Sequence, residues 1–251
     1  MFRACCISLI VLLSLPVQAE DKNYRYAVTD ESWVPYWIVS EAGVEGIFSD
    51  LMQALDRYLN LPVSVQALPG TLPPKRAQML FRSGDLQLEC CVNPLWRLPQ
   101  DGGAEDLWSE AVLASEEVLI FARGQAFPYH QLTDLKGKRI ATVLGYGYVG
   151  DHLFLRQDST RSTAQLMMVA DRRVDAGIID RNELAYLFRN EPRARRLRHL
   201  IEIGPVVNRS ALKLRINRDH PELLEPVNSA LHQMKQDGTL QRLIRHYIET
   251  P

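Results

Sequence analysis

The feature that most constrains the fold of this chain is the alternation of strand-like and helix-like apolar patterns, because strands joined by crossover helices pair in parallel sheets. The strand pattern YRYAVTD, from Tyr24, is followed by GIFSDLMQALDRYLN, in which Ile47, Phe48, Leu51, Met52, Leu55, Tyr58 and Leu59 recur at helical spacing. PVSVQAL then reads as a strand, KRAQMLFRSG as a helix stopped at Gly84, and QLECCV as a third strand. A longer strand pattern, SEEVLIFARG from Ser115, leaves this unit. A second unit begins at KRIATVL, runs through helix TAQLMMVADRR to strand VDAGIID, and continues into helix NELAYLF. SALKLRINR, from Ser210, is a returning strand. Asp237-Gly238-Thr239 separates two C-terminal helices, glycine closing one and threonine capping the next. In the last helix Leu240, Leu243, Ile244, Tyr247 and Ile248 form one apolar stripe that reads as core packing. Two βα units joined by two crossing segments are therefore expected.

The N-terminus constrains the compartment. MFRACCISLIVLLSLPVQA has Arg3 near its start, an apolar run from Ile7 to Leu15, and Val17-Gln18-Ala19 as a small-residue cleavage site. It reads as a secretory signal peptide over residues 1–19, cut after Ala19. The apolar run is shorter than the roughly 20 residues of a spanning helix, and Cys5 and Cys6 precede it where a lipoprotein cysteine would follow. The exported chain is expected to be soluble and large enough for a core without disulfide staples.

The whole chain carries a formal charge of −1, and removing the leader takes away one arginine and no acid. Near-neutral charge argues against a general nucleic-acid or anionic-membrane binder. The basic cluster RARRLRH, Arg193 to His199, has no interleaved aromatics and reads as a solvated loop face. Cys90 and Cys91 are adjacent. Neighbouring strand side chains point to opposite faces, so buried free thiols are the favoured reading and a strained, reducible bond between the two the minority one, and adjacent cysteines lack the separated ligand pairs of a structural zinc site.

Candidate chemistry lies just beyond strand ends, where open α/β sheets bind ligands. Arg97 follows the strand QLECCV, and Asp180 ends the strand VDAGIID. An arginine fork there could hold a carboxylate at two points, and the aspartate an amine, although Asp180 is equally placed to cap the helix that follows it. No GxSxG or HExxH pattern is present, and His130, His152, His199, His220, His232 and His246 form no ligand-spaced pair. No catalytic residue, cofactor or metal site is expected. Gly145, Gly147 and Gly150 spell GxGxxG after KRIATVL, the pattern of a dinucleotide site. Here it opens a short unit of an exported chain, so a glycine turn that presents backbone N–H groups to an anion, at Gly147, is the expected use.

The order of GIFSDLMQAL, RSGDLQL, DLKGKRIATVLG, RRVDAGIID and MKQDGTLQRLIRHY resembles the bacterial extracellular solute-binding proteins of family 3, the periplasmic amino-acid-binding type, over nearly the whole exported chain. The resemblance implies an α/β, two-lobed periplasmic-binding-protein fold (Venus flytrap, type II) with two crossover segments. Lobe one would comprise residues 20–118 plus 212–251 and lobe two residues 119–211. It implies that Arg97 binds a ligand carboxylate, Asp180 its amine, and Trp33 packs over it, with Tyr36 as a further aromatic or a core residue and Asp30 at the ligand side chain. Where the family has small hydroxyl residues, this chain has Glu89, Cys90 and Val92. A buried carboxylate needs a partner, so Glu89 meets either a cationic ligand group or an arginine such as Arg76. The family's glycine-hydroxyl loop is here Gly145-Tyr146-Gly147-Tyr148, which points to an aromatic, cationic or larger ligand.

The function implied is periplasmic capture of an amino-acid-like solute by a monomer that meets an ABC permease or a membrane receptor. The alternatives are a sensing component and a dehydratase of the cyclohexadienyl type, in which Glu89 or Asp180 would protonate a leaving hydroxyl.

Overall fold

The computed structural model describes residues 22–59, 63–97 and 105–248. The leader, its cleavage site, Cys5 and Cys6 lie outside the described residues. The first part of the chain runs β1 (Lys22–Thr29), β2 (Ile38–Ser40), β3 (Gly43–Glu45), α1 (Ile47–Tyr58), β4 (Val63–Leu72), α2 (Pro74–Arg82), β5 (Leu88–Val92) and the long β6 (Leu107–Ala122). Next come β7 (Arg139–Val143), β8 (Leu155–Ser159), α3 (Ser162–Ala170), β9 (Ala176–Asp180), α4 (Arg181–Asn190) and α5 (Pro192–Leu197). A second long strand, β10 (Ile201–Ile216), leads back to α6 (Leu224–Gln236) and α7 (Thr239–Ile248).

One eight-stranded sheet, in the order β4-β1-β5-β10-β6-β9-β7-β8, organises all of this, with β2 and β3 as a separate hairpin. β1 pairs parallel with β4 and β5, and β7 parallel with β8 and β9. Between these parallel sets lie β6 and β10, antiparallel from Ile201 opposite Ala122 to Ile216 opposite Leu107. β10 takes β5 as its other partner over Lys213–Ile216, while β6 takes β9 over Glu117–Ile120. The two long strands thus serve one half of the molecule at one end and the other half at the other.

Each half has its own core. In the first, Phe48, Leu51, Met52 and Leu55 of α1 pack with Val227, Leu231 and Met234 of α6 against Leu88, Leu212 and Leu214. In the second, alternation along β6 sends Val118 and Ile120 to one face, against Leu166 and Leu184, and Leu119 and Phe121 to the other, against Leu135 and Phe154. Both faces are covered, which is why SEEVLIFA is apolar in every position past Glu117. At Gly204, a Cβ would lie inside the van der Waals surface of the Phe121 ring, so β10 can cross here only as glycine.

The structure differs from the sequence pattern in four places. Arg193–His199 is not a loop: Arg193–Leu197 belong to α5, which buries Ala194, and a further turn spans Arg198–Leu200. β8, with its mostly exposed LRQDS, carries no apolar alternation to announce an edge strand. The hairpin β2–β3 was hidden within an aromatic-rich segment. β6 and β10 also begin well before their sequence patterns, at Leu107 and Ile201.

Candidate functional site

A cavity of about 640 Å³ lies between the two halves, and Trp33, Glu89, Cys90, Arg97, Tyr146, Gly147 and Asp180 all line it. Asp30 and Tyr36 are not on its wall. Asp30 is exposed, its N–H bonded to Leu72 O at 2.9 Å, whereas Tyr36 is fully buried directly behind Asp180.

The aromatic wall is held by the start of α1. A helix begins with N–H groups that lack internal partners; here Ile47 N–H bonds Pro35 O and Phe48 N–H bonds Tyr36 O, both at 3.0 Å. This close approach requires Gly46, which has φ of +116° and whose Cβ would stand 2.5 Å from Tyr36 O. Tyr247 of α7 secures the same corner, its hydroxyl accepting from Gly46 N–H at 3.2 Å and donating to Asp50 at 2.9 Å. Tyr36 consequently stacks on Phe48 at 5.1 Å, and Trp33 sits over Tyr36 at 4.2 Å and edge-on to Trp96 at 5.7 Å.

Arg97 and Glu89 face each other. Arg97 Nε donates to both Glu89 carboxylate oxygens at 3.1 Å, Nη2 donates to Oε1, and Nη1 donates to Trp96 O at 3.2 Å. The two-point edge expected to fork a ligand carboxylate is therefore turned on a protein carboxylate. Glu89 also accepts from Gln78 at 2.6 Å and from Arg215 at 3.1 Å. Its partners are Arg97 and Arg215, not Arg76. Arg215 has no exposed surface; it stacks on Phe81 at 4.3 Å and donates through Nε to Asp106 at 2.7 Å. Burial pushes the Glu89 carboxyl up, but the two guanidinium groups outweigh it and hold the carboxyl below its ordinary value.

Asp180 does two jobs at once. It caps α4, its Oδ1 accepting from Asn182 N–H and Glu183 N–H at 2.9 Å each. The same carboxylate joins the halves: Tyr36 donates to Oδ1 at 3.0 Å and Ser115 to Oδ2 at 2.6 Å. Burial still lifts the Asp180 carboxyl above the ordinary range, despite these donors.

The sequence reading missed further polar residues on the wall, among them Glu117, Gln165 and Glu183. Glu183 accepts from Ser162 Oγ at 2.6 Å, and burial raises its carboxyl to about 8. Its position three residues after a helix cap would have announced a capping box, but the side chain turns inward to α3 instead. Glu117, opposite Asp180 in the β6–β9 register, accepts from Asn208 at 2.9 Å, and burial raises it too. Gln165 donates from Nε2 to Ala141 O at 2.9 Å and Ile178 O at 2.6 Å, which fixes its amide orientation. Its buried Oε1 has no hydrogen-bond partner among the described residues.

Two further expectations change. Cys90 and Cys91 are bonded to each other, not free thiols. Their shared peptide bond is cis, and their Cα atoms are 3.0 Å apart. The glycine loop after β7 opens no helix: residues 151–153 make a single tight turn before β8, and α3 begins only at Ser162. The dinucleotide pattern therefore lacks its defining element, and no helix N-terminus stands behind Gly147. What orders the loop is Arg156, which donates to Tyr146 O at 3.1 Å and lies over the Tyr148 ring at 5.3 Å, while Tyr148 OH accepts from Val143 N–H at 3.0 Å.

Among the described residues no group of three or more His, Cys, Asp or Glu side chains is arranged to hold a metal ion, and no helix is long and apolar enough to cross a membrane. Residues 114–250, more than half of the chain, match the bacterial extracellular solute-binding proteins, family 3. The chain belongs to that family. No curated protein matches it in sequence. Solved structures share its two-lobed periplasmic-binding-protein fold. An ancestral arginine-binding protein bound to arginine is 19% identical with a TM-score of 0.65, over 90% of this chain and 97% of its own. An ancestral amino-acid-binding protein, a precursor of cyclohexadienyl dehydratase, is 20% identical with a TM-score of 0.65, over 90% and 95%. A histidine kinase sensor domain similar to periplasmic binding proteins is 14% identical with a TM-score of 0.68, over 91% and 96%. At such identities the likeness establishes the fold of this family 3 protein, while its ligand has to be argued from the cavity itself.

Proposed function

We propose that this solute-binding protein captures an amino-acid-like solute in the cleft between lobe one, residues 20–118 plus 212–251, and lobe two, residues 119–211, and delivers it to an ABC permease. The observation that carries the reading is one cavity walled from both halves, by Trp33, Glu89, Cys90 and Arg97 on one side and Tyr146, Gly147 and Asp180 on the other. Its volume is in the range of small-molecule sites. In this reading Trp33 packs over the ligand, Asp180 receives its amine, and Cys90, Tyr146 and Gly147 shape the walls. The Arg97–Glu89 pair is a preformed polar surface on the lobe-one side. The protein works in the periplasm as a monomer after its leader is cut behind Ala19. Native mass spectrometry of the purified protein, with thermal-shift screening of amino acids, amines and opines, tests this. The expected result is a retained or stabilising small solute, and the absence of any contradicts the reading.

A specific observation favours a second reading. Glu183, desolvated on the cavity wall with its carboxyl raised to about 8, is a proton donor at neutral pH. That is the property needed to protonate a hydroxyl leaving as water, and one structural neighbour is a precursor of cyclohexadienyl dehydratase. In this reading the acid is Glu183 rather than Glu89, which two guanidinium groups keep ionised. Prephenate or arogenate incubated with the protein should yield no aromatic product above the uncatalysed rate. Product that scales with protein and disappears in Glu183→Gln would establish the enzyme.

A further inference from the structure

The cavity wall is rich in carboxyl groups, of which Glu183 holds its proton at neutral pH, and poor in cations. Its only cation, among the described residues, is Arg97, and that side chain faces Glu89. Asp151, at the rim, is 3.4 Å from Arg156. Among the described residues, Glu31, Glu117, Asp180 and Glu183 meet no cation within ion-pair distance. Gln165 Oε1 adds a buried acceptor with no donor. Glu117, Asp180 and Glu183 have hydrogen-bond donors but no cation partner, and with Gln165 they come from β6, the β9–α4 junction and α3, which places the carboxyl groups and the donor-less oxygen together on the wall. Trp33 and Trp96 line the same cavity, and indole rings attract cations.

A buried acceptor is stabilised by an N–H donor and a buried carboxylate by a positive charge. A ligand carboxylate, in contrast, finds its expected guanidinium already on Glu89 and adds a like charge to the wall. We propose that the cleft selects a small organic cation, an amine or guanidine read through its N–H groups by Glu117, Asp180, Glu183 and Gln165, and that a carboxylate on the ligand weakens binding. This rests on the cleft being a solute site and names the class of solute it takes.

Calorimetry with matched pairs tests it: agmatine against L-arginine, cadaverine against L-lysine, and L-glutamine as a neutral zwitterion. In at least one pair the decarboxylated amine should bind tenfold or more tightly than its parent, and Glu117→Gln should weaken that amine by at least tenfold. A parent amino acid that binds as tightly as its amine, or more tightly, overturns the inference. So does an amine whose affinity is unmoved by Glu117→Gln. Binding of L-glutamine alone overturns it while leaving solute capture intact. If none of the five compounds binds, the inference falls, and solute capture falls with it only if the purified protein also retains no small molecule.

Discussion

Glu183 sets the pH behaviour of the empty protein. Its folded carboxyl titrates at about 8, against an ordinary 4.5, so the folded state keeps a proton that the unfolded state releases between those values. Its contribution to stability is therefore full below about pH 4.5 and is lost as pH rises through about 8. Asp180 and Glu117, also raised, act in the same direction. Glu89 acts oppositely: its depressed value contributes stability above the ordinary range that is lost as pH falls below it. Unfolding midpoints measured between pH 5 and pH 8.5 should fall with rising pH, and Glu183→Gln should make that fall shallower. An unchanged slope in the variant would place the buried proton elsewhere. Arg215 is the counterpart on the lobe-one side. Arg215→Ala strands Asp106 in the interior and leaves Glu89 with Arg97 alone, and it should cost about 3–5 kcal/mol in chemical denaturation; a loss under 1 kcal/mol would show that water reaches Asp106. Neither residue was legible in the sequence. Arg215 sits in the strand pattern SALKLRINR, where a charge reads as solvent-facing, and Glu183 occupies a position that helix-capping rules assign to the surface.

At the scale of elements, the cleft depends on two helix starts. α4 starts on Asp180, whose carboxylate caps it and joins the halves through Tyr36 and Ser115. Asparagine caps nearly as well as aspartate, so Asp180→Asn should leave the unfolding free energy within about 1 kcal/mol while weakening an amine ligand at least tenfold by calorimetry. Equal losses in both would mean that the charge serves the fold alone. α1 starts on Gly46, pressed against the carbonyls of Pro35 and Tyr36. Gly46→Ala must move that backbone, and a loss of more than about 1 kcal/mol is expected, with Trp33 fluorescence shifting as its packing on Tyr36 is released. Helix and strand positions were largely legible because α1, β5, β7, β9 and α4 carry clear apolar periods. What escaped was short or polar: β8 has no buried stripe, α5 is rich in arginine, and the Cys90–Cys91 bond depends on a peptide geometry that no pattern of side chains announces.

At the scale of the molecule, two long antiparallel strands carry the chain between halves that otherwise have separate cores, and the cavity lies where they meet. The sequence was informative about this architecture because it repeats βα units on either side of two strand patterns, and about site membership because strand ends converge in such a sheet. It was not informative about who pairs with whom: Arg97 and Glu89 are eight residues apart in one segment, and spacing does not tell a ligand's partner from a protein's. Solute capture in the proposed function proceeds by closure of the two halves, since a ligand that contacts both walls favours the state in which they approach. A ligand at about 100 times its Kd should add about 2.7 kcal/mol of apparent stability. The direct measurement is small-angle X-ray scattering of the exported chain with and without a stabilising solute. A smaller radius of gyration on saturation is the predicted result, reached in Asp180→Asn only at a solute concentration at least tenfold higher; an unchanged radius at saturation would rule out closure.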